Sequence, residues 1–168
     1  TASLRVVPEA VRAGVEGLFT VFATFPEDAI VPAEAIDLLA PLMPGDDATR
    51  QAARKKLQVR RWLQQLIKAN IVRGSIEGGV SVHDLVRDCM MQRADASNEG
   101  GLRAMQREAV PLLLAAYDAD GPAARYVAAS LYWHVQQAQR PDDPLHADAV
   151  LLQVFAHQSA DVRKQARR

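Results

Sequence analysis

The chain has very little cysteine, few aromatic residues and no excess of charge of either sign. Its single cysteine, Cys89, excludes an intrachain disulfide framework and fits a reducing compartment. Because 20 basic residues balance 20 acidic residues, the bulk charge does not favour nucleic acid or another polyanion as a partner. No apolar run approaches the roughly 18 residues that a membrane helix needs, and no signal-peptide pattern opens the chain. These absences favour a cytoplasmic protein without a membrane partner.

Patterns that usually accompany catalysis are missing as well. No Gly-x-x-x-x-Gly-Lys-Ser/Thr phosphate loop occurs, and His134, His146 and His157 do not have metal-ligand spacing. Such histidines are more often surface or helix-end residues. Cys89 falls on the apolar face of a helix, where an inert buried thiol is expected. We therefore expect no catalytic residue, no metal site and no enzymatic activity within these 168 residues.

Hydrophobic residues make up 49% of the chain, enough for a core, and their spacing predicts helices first. A first helix is predicted over Pro8–Phe25, and Ile30-Val31 can form one or two bridge residues. Pro32 begins a short second helix. A third helix, capped by Asp46 or Asp47, is predicted to run to Asn70 as its C-cap. Its apolar side includes Leu57 and Trp62, and Trp62 is the expected central packing residue.

A hairpin and another helix are predicted next. Two short strands at 71–76 and 79–83 are joined through Gly78-Gly79, because a glycine pair permits the positive φ angles of tight turns. The following helix begins near Asp84 and frays near Arg93. Its predicted inward residues are Leu85, Val86, Cys89 and Met90. Three helices followed by a two-stranded hairpin is the order of a winged helix.

The remaining chain is predicted to be entirely helical. The polar stretch Ala94–Gly101 has the composition of a domain boundary, which suggests a winged-helix domain over 1–95, a linker over 96–101 and a helical arm or first helical repeats over 102–168. The predicted helices are Leu102–Tyr117, Ala123–Gln139, His146–His157 and a last one capped by Ser159 or Asp161. The fold class expected is mainly α, a winged helix followed by an all-helical segment.

Three local patterns occur in one order over about residues 10–93. They are Leu18-Phe19-Thr20-Val21-Phe22 leading to Phe25-Pro26-Glu27-Asp28 and Ile30-Val31-Pro32; Leu63-Gln64-Gln65-Leu66 leading to Ile71-Val72; and Val82-His83-Asp84-Leu85-Val86-Arg87-Asp88. Together they resemble the winged-helix domain of the NB-ARC signalling NTPases, which include apoptotic-protease-activating factors and plant disease-resistance proteins. The third pattern resembles the Met-His-Asp motif of that family, with Val82 in the place of the methionine.

The resemblance implies a switch that responds to ADP or ATP with magnesium. In the family, the winged helix folds over nucleotide held by an upstream NTPase domain, and the motif histidine contacts the β-phosphate of ADP in the closed state. By this likeness His83 is the phosphate contact, and Asp84 holds the local turn and helix start. Implied partners are the chain's own upstream NTPase domain, downstream sensor repeats and, on activation, further copies of the parent protein.

Because the phosphate loop is missing, we expect this chain to be a piece of a longer protein. The charged run Arg163-Lys164-Gln165-Ala166-Arg167-Arg168, with which the chain stops, adds to that expectation. The 168 residues alone are expected to hydrolyse nothing and to bind ADP weakly or not at all. His83 also has a simpler interpretation, as a surface residue beside an Asp84 that merely caps a helix.

Two other functions fit parts of the sequence. A DNA-binding winged helix would use the basic third helix, whose candidate contacts are Arg54, Arg60 and Arg61, although the zero net charge makes nucleic acid an unlikely partner. An interaction scaffold would instead bind a protein through aromatic anchors among Tyr132, Trp133 and Phe155. Such aromatic residues are more often part of the core.

Overall fold

A computed structural model describes residue 4 and residues 6–97, 100–117 and 121–138. This part of the chain is mainly helical with one two-stranded antiparallel sheet, so the predicted fold class is confirmed. The helices are α1 (Glu9–Val21), α2 (Ala33–Leu39), α3 (Asp47–Ala53), α4 (Lys56–Lys68), α5 (Asp84–Ser97), α6 (Gly101–Tyr117) and α7 (Pro122–Ala138), and the strands are β1 (Val72–Ser75) and β2 (Gly79–Val82). The helices predicted at 146–157 and after Ser159 lie outside the described residues. None of the described helices is both long and apolar enough to cross a membrane.

The helix predicted as one segment from Asp46 to Asn70 is in fact two helices. The Asp46 carboxylate caps α3 by accepting a hydrogen bond from Thr49 N at 2.8 Å, but Lys55 is extended, with φ −97° and ψ 106°. This break lets α4 cross α1 with Val59, Trp62, Leu63 and Leu66 buried. Leu57 lies on the opposite side of α4 from these residues and is 68% exposed, so its predicted place on the apolar side is wrong. No glycine or proline marks the break, and helical spacing continues across it.

Helices α1 and α4 pack closely against each other in the core. Trp62 is only 4% exposed, which confirms it as a packing residue. A β-carbon added to Gly14 of α1 would lie 2.1 Å from Trp62 Cε2. The indole ring therefore occupies the space that any side chain at position 14 would need, and the helix axes can approach closely.

Asn70 closes the helix before the hairpin, as predicted. Asn70 has a φ of 52°, and Ile71 N donates to Leu66 O at 3.0 Å, a pairing typical of a left-handed C-cap. In the sheet, Val72 pairs with Val82 and Ser75 with Gly79. The predicted bridge is also confirmed, since Val31 pairs with Val80 on the other side of β2.

The α5 helix is longer than predicted and carries the chain into the C-terminal helices. It ends at Ser97 rather than near Arg93, because Ala94 is fully buried and keeps that turn in the core. The first residues of the predicted linker therefore continue α5, and Gly101 already begins α6. Helices α6 and α7 pack on each other and on α2. The division into domains stays a prediction.

Candidate functional site

The junction between β2 and α5 presents three consecutive exposed side chains. His83 stands at the N-cap position of α5, where its carbonyl accepts hydrogen bonds from Val86 N at 2.8 Å and Arg87 N at 3.0 Å. The side chains of His83, Asp84 and Leu85 are all exposed. The backbone of His83 therefore begins the helix, while its imidazole is left for an external partner.

Two expectations about this junction are corrected by the structure. Leu85 is 77% exposed and does not face the core, because α5 buries its Met90 and Ala94 side instead. Asp84 is the first residue of α5 rather than its N-cap, and no hydrogen bond of its carboxylate occurs among the described residues. Its negative charge stabilises the positive end of the helix. The capping interpretation of Asp84 is replaced by a charge–dipole role.

The rest of α5 is held firmly on α1. The Arg93 guanidinium lies 3.2 Å from a carboxylate oxygen of Glu16 and 5.7 Å from the centre of the Phe19 ring. Met90 is fully buried between these contacts and the hairpin end of the helix. These contacts pack α5 on α1 beyond its first turns, and His83 lies at the exposed start of the same helix.

The junction offers hydrogen-bond donors for an anion, although the exposed Asp84 carboxylate beside them opposes anion binding. An imidazole N–H and the unpaired N–H groups at the start of a 14-residue helix can donate to phosphate oxygens. The described part of the chain contains no cluster of three His, Cys, Asp or Glu side chains that could hold a metal ion. Donors from one ring and one helix end reach only one side of a phosphate, so other groups would have to contact the rest of it.

The candidate basic residues of the third predicted helix have different environments. Arg54 and Arg61 are exposed, whereas Arg60 is bound to two carboxylates of α2. Its Nη2 lies 2.7 Å from Asp37 Oδ2 and 3.1 Å from Glu34 Oε1, and its Nε donates to both Asp37 oxygens at 3.2 Å. The bonds to Asp37 raise the pKa of Arg60, although burial opposes this, and Glu34 adds to the effect. Arg60 thus joins α4 to α2.

Replacing Arg60 by methionine is expected to destabilise the fold by about 1–3 kcal/mol, because the Asp37 side chain, 5% exposed, loses its charged partner. Arg61→Met is the matched control on the same helix, and this exposed change should stay within about 0.5 kcal/mol. Urea unfolding of both variants measures the difference. Equal stabilities of the two variants would show that the Arg60 pairs contribute nothing.

The environment of His134 differs clearly from the one predicted from the sequence. It was expected near the surface, but it is fully buried. His134 Nδ1 lies 2.8 Å from Gln106 Oε1, and Nε2 lies 2.8 Å from the Tyr126 hydroxyl. Gln106 Nε2 donates to Thr24 O at 2.9 Å. A hydrogen-bonded network therefore connects α7, α6 and the 3₁₀ turn Phe22–Thr24 that follows α1.

The hydrogen-bond partners of His134 determine which of its ring nitrogens carries the proton. Because the Gln106 amide nitrogen donates to Thr24, its oxygen faces His134 and can only accept, so Nδ1 carries the hydrogen. Nε2 then accepts from the Tyr126 hydroxyl. Burial lowers the pKa of His134 from its ordinary value of 6.5 to about 4, and it raises the pKa of Tyr126. The ring is neutral, with both nitrogens satisfied.

The aromatic residues offered as scaffold anchors do not form one exposed patch. Tyr132 is 49% exposed, but Trp133 is partly buried and its ring centre lies 5.1 Å from that of His134. Phe155 lies outside the described residues.

A separate open groove of about 680 Å³ lies between the wing and α7, and Ile30, Ile76 and Arg125 line it. His83 does not line this groove.

The fold and the junction together define a mainly helical protein with a two-stranded wing and an exposed histidine at the start of the helix that follows it. No family model, curated protein or solved structure matches this chain. The likeness to the NB-ARC winged helix therefore stays a prediction that the residues alone support.

Proposed function

We propose that this chain is a regulatory part of a cytoplasmic signalling NTPase of the NB-ARC type, in which the winged helix responds to nucleotide through His83. The observation that supports this most is the junction itself. His83 begins α5 with its carbonyl, yet its imidazole is exposed and has no hydrogen-bond partner in the described part of the chain. The exposed imidazole lies beside a helix N-terminus, and its N–H can donate a hydrogen bond to a phosphate oxygen.

The residues present would form only a small part of a nucleotide site. His83 and the first N–H groups of α5 can hold phosphate oxygens, and the exposed Asp84 and Leu85 can contact the protein surface around them. Bound ADP, or ATP with magnesium, supplies the change in phosphate charge that the switch detects. The remaining contacts belong to an upstream NTPase domain, so we propose no catalysis by this chain.

Such a contact acts by changing the populations of two states. A hydrogen bond to a charged group contributes about 1.5–3 kcal/mol, which changes a closed-to-open ratio by roughly tenfold to a hundredfold. His83 makes this contact only while the winged helix lies over the nucleotide. We propose that its loss allows the winged helix to move, and that the helices after it transmit the movement to sensor repeats and to other copies of the parent protein.

The test is the ADP content of the full-length parent protein, purified without added nucleotide. We expect co-purified ADP in the natural protein, and His83→Ala should lose it and raise basal signalling. Gln92→Ala, an exposed change elsewhere on α5, is the control and should retain ADP. Unchanged ADP retention in His83→Ala with reduced activity would contradict the proposal. Absence of nucleotide from both proteins would leave a winged helix of another function, with DNA binding as the first alternative.

A further inference from the structure

The outer side of α4 carries a narrow stripe of exposed residues. Leu57, Arg61, Gln64 and Lys68 follow one another at intervals of four, three and four residues and are all exposed. This spacing places them on one side of the helix, opposite the buried Val59, Trp62, Leu63 and Leu66. The stripe extends about 16 Å along the helix axis. We call it the α4 outer stripe.

The stripe combines an apolar residue with positive charge. Leu57 is 68% exposed and is the apolar member of the stripe. Arg61 and Lys68 lie on the stripe, while the exposed Arg54 and Lys55 lie beside Leu57 at the corner between α3 and α4. Within the described ranges no carboxylate forms an ion pair with any of these four cations. Leu57 is therefore open to solvent, and these four cations are available to carboxylates of a partner.

These features fit a protein partner better than a nucleic acid. Phosphate backbones are bound by cations and polar groups, and an exposed leucine on the helix face that would enter a groove adds nothing to phosphate contacts. The neighbouring cation Arg60 is already neutralised by Asp37 and Glu34, and the partly exposed Glu34 would repel a phosphate backbone. A protein surface can cover Leu57 with apolar side chains and pair its own carboxylates with Arg61 and Lys68.

We propose that the α4 outer stripe binds an acidic amphipathic helix of a partner protein, with leucine-like side chains over Leu57 and carboxylates beside Arg61 and Lys68. This interaction goes beyond the phosphate contact of His83 and does not depend on it. Covering Leu57 with apolar side chains adds to the affinity, and the charges set the association rate and the salt dependence.

The experiment measures binding of labelled probes to the whole 168-residue chain by fluorescence anisotropy. The main probe is a peptide of about 20 residues with leucine at helical i, i+3, i+4 and i+7 spacing and glutamate at the outer positions. A scrambled peptide of the same composition and a duplex DNA of about 20 base pairs are the comparison probes. The protein variants are Leu57→Ser and the double change Arg61→Glu with Lys68→Glu. Gln137→Ser, exposed on α7, is the control.

We expect the patterned peptide to bind more tightly than the scrambled one, with each stripe variant weakening binding about tenfold or more and Gln137→Ser leaving it unchanged. Because all the changed side chains are exposed, urea unfolding should show that the variants remain folded. Equal binding of both peptides, insensitivity to Leu57→Ser, or no binding of the patterned peptide at millimolar concentration would overturn the proposal. DNA binding that Leu57→Ser leaves intact would instead assign the face to nucleic acid.

Discussion

Acidification from pH 7 to pH 4 is expected to remove about 3 kcal/mol of folding free energy through His134 alone. Burial lowers the pKa of this histidine from 6.5 to about 4 in the folded protein. The unfolded chain therefore takes up a proton at higher pH than the folded chain does. The stability that depends on a neutral His134 is fully present above pH 6.5, and it is lost progressively as the pH falls toward 4.

Urea unfolding at a series of pH values between 7 and 4 measures this effect. His134→Gln is the informative variant, since it does not titrate and its amide can both donate to Gln106 and accept from Tyr126. The stability of this variant should vary much less between pH 6.5 and 5. The carboxyls of Glu34 and Asp46, whose pKa values the fold lowers, act only at more acidic pH. A pH profile that His134→Gln leaves unchanged would show that another group titrates.

Trp62→Ala is expected to cost about 3–5 kcal/mol of folding free energy, because it removes a nearly fully buried indole and leaves a cavity between α1 and α4. That loss is a large part of the stability of an ordinary domain, so the variant is expected to unfold at much lower urea concentration or to lose its cooperative transition. Tryptophan fluorescence would be altered by the change itself, so far-ultraviolet circular dichroism is the appropriate measurement.

Gly14→Ala tests the same contact from the other helix. Its new methyl group would overlap the Trp62 ring, so α1 and α4 must separate, at a cost of about 1–3 kcal/mol. Gly78→Ala, at an exposed position where the nearest atom to an added β-carbon is the Ser75 hydroxyl at 3.2 Å, is the control. If Gly14→Ala were as stable as the natural protein, the helix contact would be looser than the structure shows.

Much of the local structure was predictable because it depends on nearby residues. Pro26 ends the first helical region, Asn70 closes α4 in a left-handed conformation, and His83-Asp84 mark the start of α5. These signals act through backbone geometry over a few residues, so no tertiary information is needed. The break at Lys55 was not predictable in this way, because it satisfies the packing of α4 on α1 and no helix-breaking residue announces it.

The candidate site was also predictable only in part. The sequence pattern predicted His83 and the basic residues of α4 as candidates, and the structure shows which of these side chains form contacts within the fold. Arg60 is joined to Asp37, which lies 23 residues earlier, and Leu85 points away from the core despite its apolar character. Partners so distant in sequence cannot be deduced from spacing on one helix, since they depend on how the helices pack.

The sequence by itself determined most of the helices, the wing and the position of His83 at a strand-to-helix junction, because periodicity, capping and turn chemistry are local. Only the tertiary structure decided the environment of His134, which joins Gln106 and Tyr126 in a buried network. It also decided that Trp62 of α4 fills the space beside Gly14 of α1. Burial depends on the mutual packing of elements far apart in the chain, and the same residue type can be exposed or enclosed without any change in its local pattern.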